Sequence, residues 1–150
     1  MNELEEKIKS LEILVSATRS KVDYLLNADN GLDSKAGVMI AIEVGIVTFY
    51  LQNIVNIFSF SFTPVVIFGY SIFLLWNTIK VKKYNTGVVD FFNNPNDYRL
   101  MRTEVLLGQL LSDYQDAYDN NLEKLENKNK SYKKALGMFL IGFLLLLISI

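Results

Sequence analysis

The sequence predicts an all-α membrane protein, and three observations carry that expectation. The stretch Ala36 to Ile79 holds Glu43 as its only formally charged residue. A second stretch, Ala135 to Ile150, holds none. The charged segments around them show helical spacing of apolar residues. A helix rises about 1.5 Å per residue, so a bilayer core needs about 20 apolar residues. The first stretch is about twice that, with a break near Ser59–Pro64, and reads as two spanning helices joined by a short turn. The expected arrangement is a helix and turn over 1–35, a transmembrane hairpin over 36–80, a loop and long helix over 81–134, and a third span over 135–150 continuous with that helix.

Composition removes several functions. The chain of 150 residues has a formal net charge of −1, which gives no general attraction to nucleic acid. It contains no Cys and no His. Thiolate nucleophiles, disulfides, imidazole bases and the common zinc sites are therefore excluded. The N-terminus is charged and heptad-patterned, unlike a signal peptide.

Residues 3–26 form an amphipathic helix. Leu4, Ile8, Leu11, Val15, Thr18, Val22 and Leu25 alternate four- and three-residue steps, which is a coiled-coil seam. Ile8, Val15 and Val22 share one core position; Leu4, Leu11 and Leu25 share the other. β-branched residues opposite leucines favour two parallel helices. Three heptads are marginal alone, so the seam needs a partner, either the chain's own later helix or a second copy. Residues 27–35 are expected to turn at Asn30-Gly31. Asp33 or Ser34 would then cap the first span.

That span is expected over about Val38 to Ile57. Glu43 lies about 8 Å from its cytosolic end by helix rise. A carboxylate inside a span costs several kcal/mol unless paired, hydrated or protonated. Two readings stand: it snorkels or pairs with Lys80 or Asn77 at similar depth, or it lines a polar path. Gln52, Asn53 and Asn56 would face headgroups at the other end. Pro64 lacks an N–H and is expected to push Thr63 out of the helical region, with Ser59, Ser61 and Thr63 satisfying freed backbone groups. The second span, about Pro64 to Ile79, ends in Trp76 followed by Lys80, Lys82 and Lys83, an aromatic belt and a basic anchor.

Residues 84–98 read as irregular, with a turn at Asn93–Asp97 and Asp97 as N-cap. From about Tyr98 a helix carries Leu107, Leu111, Tyr114, Tyr118, Asn121, Leu125, Lys128 and Tyr132 at four-three spacing. Asn121 and Lys128 either fix register as polar seam positions, or the seam ends near Leu125 and Lys128 is solvated. Lys130, Lys133 and Lys134 precede the last span. Gly137 and Gly142 offer small surfaces for helix contact.

Lysine and arginine cluster before the first span, after the second and before the third, which places the N-terminus and residues 80–134 in the cytoplasm and the C-terminus outside. No nucleotide, nucleophile-elbow or metalloprotease motif is present. No catalytic, cofactor or metal residues are expected, and enzyme activity is not expected. The apolar stripes read as core or interface.

One further pattern is familiar. Asp33-Ser34-Lys35-Ala36-Gly37 opens the hairpin. Asn121-x₆-Lys128-x₃-Tyr132-Lys133-x-Ala135 leads to Phe139-x₂-Gly142-x-Leu144 in the last span. Over about residues 27–150 this resembles the small transmembrane effectors of bacterial anti-phage nucleotide-signalling systems, the Pycsar-type effectors and the related SLATT-type group. The resemblance implies an effector of the bacterial inner membrane. Such effectors are held quiet until a cyclic-nucleotide or related signal arrives, then impair the membrane to abort infection. No nucleotide-binding domain is read here, so the signal is expected from a cytosolic protein partner or at a site between protomers. One chain has too few spans to enclose a channel, so a homo-oligomer in the lipid bilayer is expected. Two other functions fit the same features: a non-enzymatic scaffold or regulatory subunit of a larger complex, and a holin-like lysis protein.

Overall fold

The computed structural model describes residues 3–53, 62–80, 84–87 and 101–149. Among the described residues the chain is all-helical: α1 is Glu3–Asn53, α2 is Thr63–Ile79 and α3 is Thr103–Ser149. Two of these, α1 and α3, are long and apolar enough to cross a membrane, while α2 is apolar but shorter. The chain divides into two compact units, Met1–Asp29 with Lys82–Leu125 and Asn30–Val81 with Glu126–Ile150.

In the first unit the N-terminal part of α1 runs parallel to the start of α3. Lys7 Nζ lies 3.6 Å from Glu104 Oε2 near one end. Further along, Val22 packs with Tyr114 and Ala117, flanked by Val15, Leu26 and Tyr118. Val22 and Leu25 are buried and Ile8, Leu11 and Val15 half-buried, while Leu4 remains 50% exposed. On α3, Tyr114 is buried and Leu107, Leu111, Tyr118 and Leu125 are half-buried. The N-terminal seam thus packs on the chain's own α3.

The second unit is a three-helix bundle in which α2 runs antiparallel to α1 and α3. One core layer joins Ala36, Leu75 and Ala135; another joins Tyr50, Phe68 and Leu146. On α2 the buried residues are Pro64, Phe68, Ser71, Leu75 and Thr78, again at four-three spacing. Small residues permit close contact. A Cβ on Gly142 would lie 3.3 Å from both Ile67 Cγ2 and Phe68 Cζ, whereas Gly137 meets nothing within 4 Å. The Phe68 and Phe139 rings add a tilted pair with centroids 6.0 Å apart.

Several local expectations are overturned. Residues 27–35 are not a turn but lie inside α1, so Asp33 and Ser34 cap nothing. A helical Gly costs about 1 kcal/mol relative to Ala. Gly31 and Asn30 are exposed, however, while the neighbouring seam positions Asp29 and Ala36 are buried, and that packing outweighs the local preference. Thr63 is helical, and Pro64 occupies the first turn, where its missing N–H has no bond to lose. Phe62 takes the N-cap position without a side-chain cap. The α2 helix closes at Lys80, whose N–H donates to Trp76 O at 3.0 Å. Ser59, Ser61, the Asn93–Asp97 turn and the Tyr98 helix start lie outside the described residues, as do Asn56 and Ile57 at the far end of the first span.

Candidate functional site

The seam in α1 does not stop at Leu25. Steps of three and four continue through Asp29, Leu32, Ala36, Met39, Glu43, Ile46 and Tyr50, all buried or half-buried. Glu43 lies three heptads after Val22 and is therefore at the same core position. On α3 the seven-residue series Tyr114, Asn121, Lys128, Ala135, Gly142 is buried throughout. The polar members of these seams make up the candidate site, and they fall into separate groups in the two units.

In the first unit, Asn121 is fully buried and clamps one residue of the segment after α2. The Asn85 backbone N–H donates to Asn121 Oδ1 at 3.0 Å, and Asn121 Nδ2 donates to the Asn85 carbonyl at 2.7 Å. Tyr84 OH donates to Asp29 Oδ1 at 2.7 Å, and Lys124 Nζ lies 5.7 Å from the Tyr84 ring centroid. Asn85 Oδ1 accepts from the Gly87 N–H at 2.9 Å. Gly87 has φ +78°, and a Cβ there would meet Tyr114 Cδ1 at 2.5 Å, so glycine is required on both counts. An amide that matches both the donor and the acceptor of a main chain fixes where that chain sits.

In the second unit, Glu43 is fully buried between the two apolar layers. Its Oε1 lies 2.7 Å from Ser71 Oγ, the donor in this contact, and Ser71 Oγ is also 3.0 Å from the Ala135 carbonyl. Glu43 Oε2 is buried with no hydrogen-bond partner among the described residues. The single carboxylate thus touches α2 through Ser71, which in turn touches α3. Asn77 and Lys80 are both exposed and do not partner it. The cause is angular: Ser71 is on the buried seam of α2, and Asn77 lies off it, one position before the buried Thr78.

Lys128 is not solvated. Its side chain is 2% exposed and its Nζ lies 2.6 Å from Asp33 Oδ1. That oxygen makes no aligned hydrogen bond, so the contact is an ion pair by proximity. Both residues stand on the helix-facing sides that the seams define. Among the described residues no cluster of three or more His, Cys, Asp or Glu is placed to hold a metal ion.

Ser71 and Asp33 were not expected as partners. The signal for Ser71 was the four-three spacing of Pro64, Phe68, Ser71, Leu75 and Thr78, concealed because nearly every neighbour is apolar as well. The signal for Glu43 was the heptad continuing past Leu25, and Asp33 flanks that seam one residue after Leu32. Compared with known protein families, curated proteins and solved structures, the chain matches none.

Proposed function

We propose that the chain is a membrane effector that assembles as an oligomer and permeabilises the bilayer in which its second unit sits. The observation that carries the membrane part is an inverted surface. Val38, Phe49, Val66, Phe73, Trp76, Leu140, Leu144 and Leu147 are exposed on the second unit, while Glu43, Ser71, Thr78 and Lys128 are buried inside it. A protein in water exposes few large apolar patches and buries charge rarely. Only 17% of the most apolar stretch of α1, and the same share of that of α3, is buried, whereas a core helix of a water-soluble protein would be mostly buried.

In this reading α1, α2 and α3 all cross the bilayer. At about 1.5 Å per residue the 17 residues of α2 reach about 25 Å. The lysine distribution orients the first unit to the cytoplasm of a bacterial inner membrane. The likeness of the Asp33–Gly37 and Asn121–Leu144 patterns to anti-phage transmembrane effectors supports a defence role. The clamp at Asn121 and the ion pair at Lys128 supply contacts that a switch between quiet and active packings would exchange. The test is membrane potential on induced expression, alone and with neighbouring genes. Loss of potential in either setting is expected; intact potential and normal growth in both would sink the reading.

One observation favours a non-conducting scaffold instead. Glu43 faces the interior of its own three-helix unit and not its outer surface. A scaffold would be harmless on expression and would still retain a cytosolic partner on affinity capture.

A further inference from the structure

The exposed charge of the second unit is gathered at one end and is mostly positive. Lys35 on α1, Lys80 at the end of α2, and Lys130, Lys133 and Lys134 on α3 are all exposed. None of them forms an ion pair among the described residues. The acids nearby offer little compensation: Asp33 is engaged by Lys128, Glu43 is sealed in the interior, and only Glu126 is exposed. Residues 36–53, 62–79 and 135–149 contain no charge other than Glu43.

These lysines lie within about 7.5 Å of one level along the helices. Ala36, Leu75 and Ala135 form a single core layer. Lys35 and Lys134 adjoin that layer in sequence, and Lys80 stands five residues beyond Leu75, about 7.5 Å by helix rise. Lys130 shares a helix face with Lys133 and Lys134 at three- and four-residue spacing. Three helices therefore place ammonium groups around one end of the bundle, where long flexible stems widen their reach.

The neighbouring surface decides which anion fits. Within six residues of these lysines along the chain, Val38, Trp76, Leu136 and Leu140 are exposed. A free phosphate would satisfy the lysines and leave those side chains uncovered. An acidic peptide would do the same. A phosphodiester carrying acyl chains satisfies both surfaces at once, and an indole such as Trp76 prefers the same interfacial depth.

Resting on the membrane reading above, we propose that Lys35, Lys80, Lys130, Lys133 and Lys134 form a seat for the headgroups of anionic phospholipids. The seat draws anionic lipid to the protein, and occupancy ties the three helix ends together. The bundle end is then stabilised by lipid charge as well as by its own layers.

The experiment uses the full chain with two kinds of vesicle, phosphatidylcholine alone and phosphatidylcholine with about a quarter phosphatidylglycerol, a content at which juxtamembrane lysines each contribute about fivefold in binding. Flotation reports membrane association. Thermal unfolding in detergent, with each lipid or inorganic phosphate added, reports headgroup binding. Phosphatidylglycerol is expected to raise the unfolding midpoint, whereas phosphatidylcholine and inorganic phosphate leave it unchanged. Each of Lys35→Gln, Lys80→Gln and Lys134→Gln should weaken phosphatidylglycerol binding about fivefold. The combined variant should lose the shift and still float with neutral vesicles. Lys9→Gln and Lys21→Gln in the first unit should keep it.

An equal shift with inorganic phosphate, or with Lys9→Gln and Lys21→Gln as damaging as the ring variants, overturns the seat. Equal stabilisation of the wild type by both lipids does so too, while leaving the membrane reading standing. Failure to float with either vesicle removes the membrane reading and the seat with it.

Discussion

The two units share the same pair of parallel helices and the same repeat, yet their surfaces are opposites. In the first unit the seam holds Val22, Leu25 and Ala117, and most charged residues point outward. In the second the seam holds Glu43, Lys128 and Ala135, and the outward positions are Phe49, Phe73 and Leu144. Packing of two helices depends on side-chain shape at steps of three and four, which is indifferent to the surrounding medium. The outer face is free of that demand. The repeat therefore states how the helices pair, and the outer face carries the contrast between the units.

The largest expected effect comes from placing a charge in the seam of the first unit. Val22→Asp puts a carboxylate at a position 1% exposed, packed against Tyr114 and Ala117. An uncompensated buried charge costs about 3–5 kcal/mol. Amide exchange in residues 8–29 and 107–125 should accelerate while the second unit keeps its protection. Unchanged exchange in the first unit would mean that its seam is not what holds it. Val15→Asp, at a half-buried position one heptad earlier, should act in the same direction with a smaller effect.

Next in size is the contrast between outer faces. Leu144→Arg on the second unit should cost about 2.5–3.5 kcal/mol of membrane insertion. Ile13→Arg, at a comparably exposed site on the first unit, should change stability by no more than about 0.5 kcal/mol. Alkaline extraction reads the first and thermal unfolding the second. Equal tolerance at both sites would break the comparison.

Asn121→Leu leaves both the N–H and the carbonyl of Asn85 without the partners seen here. The expected loss is about 1–3 kcal/mol, with faster exchange at the Asn85 amide. Asn121→Asp retains the acceptor but buries a carboxylate and turns an oxygen toward the Asn85 carbonyl, so it should cost at least as much as Asn121→Leu.

Glu43→Gln should change stability least, by about 1 kcal/mol or less, since the amide oxygen still accepts from Ser71. Its value lies in function. Altered leakage or toxicity with intact insertion would place Glu43 on a polar path. An unchanged phenotype would assign it to packing against Ser71.

Much of the helix content was legible because the charged runs carry a 3.6-residue pattern and the apolar runs are long enough to read as spanning helices. The first seam could be read because Ile8, Val15 and Val22 alternate with polar neighbours. The failure at residues 27–35 has a definite physical cause. Asp29, Asn30, Gly31 and Asp33 have the composition of a loop, and helix propensity is a local quantity. What keeps them helical is tertiary: Asp29 meets Tyr84, Asp33 meets Lys128, and Ala36 packs between Leu75 and Ala135. The partner of Glu43 was hidden for the converse reason. In α2 the outward and inward residues are both apolar, so hydropathy cannot show that Ser71 faces in and Asn77 faces out.

The unbroken helix through Asn30 and Gly31 has a consequence for how this chain tolerates change in length. A loop absorbs an extra residue, but here one inserted residue would turn everything beyond it by about 100° and carry Glu43 off its face. Seven inserted residues would nearly restore the angle, leaving a drift of about 20° and a lengthening of about 10 Å. The segment that has the composition of a spacer thus counts like a screw thread. Related chains that differ in length here should differ by whole heptads, matched by equal changes in α3 near Lys128.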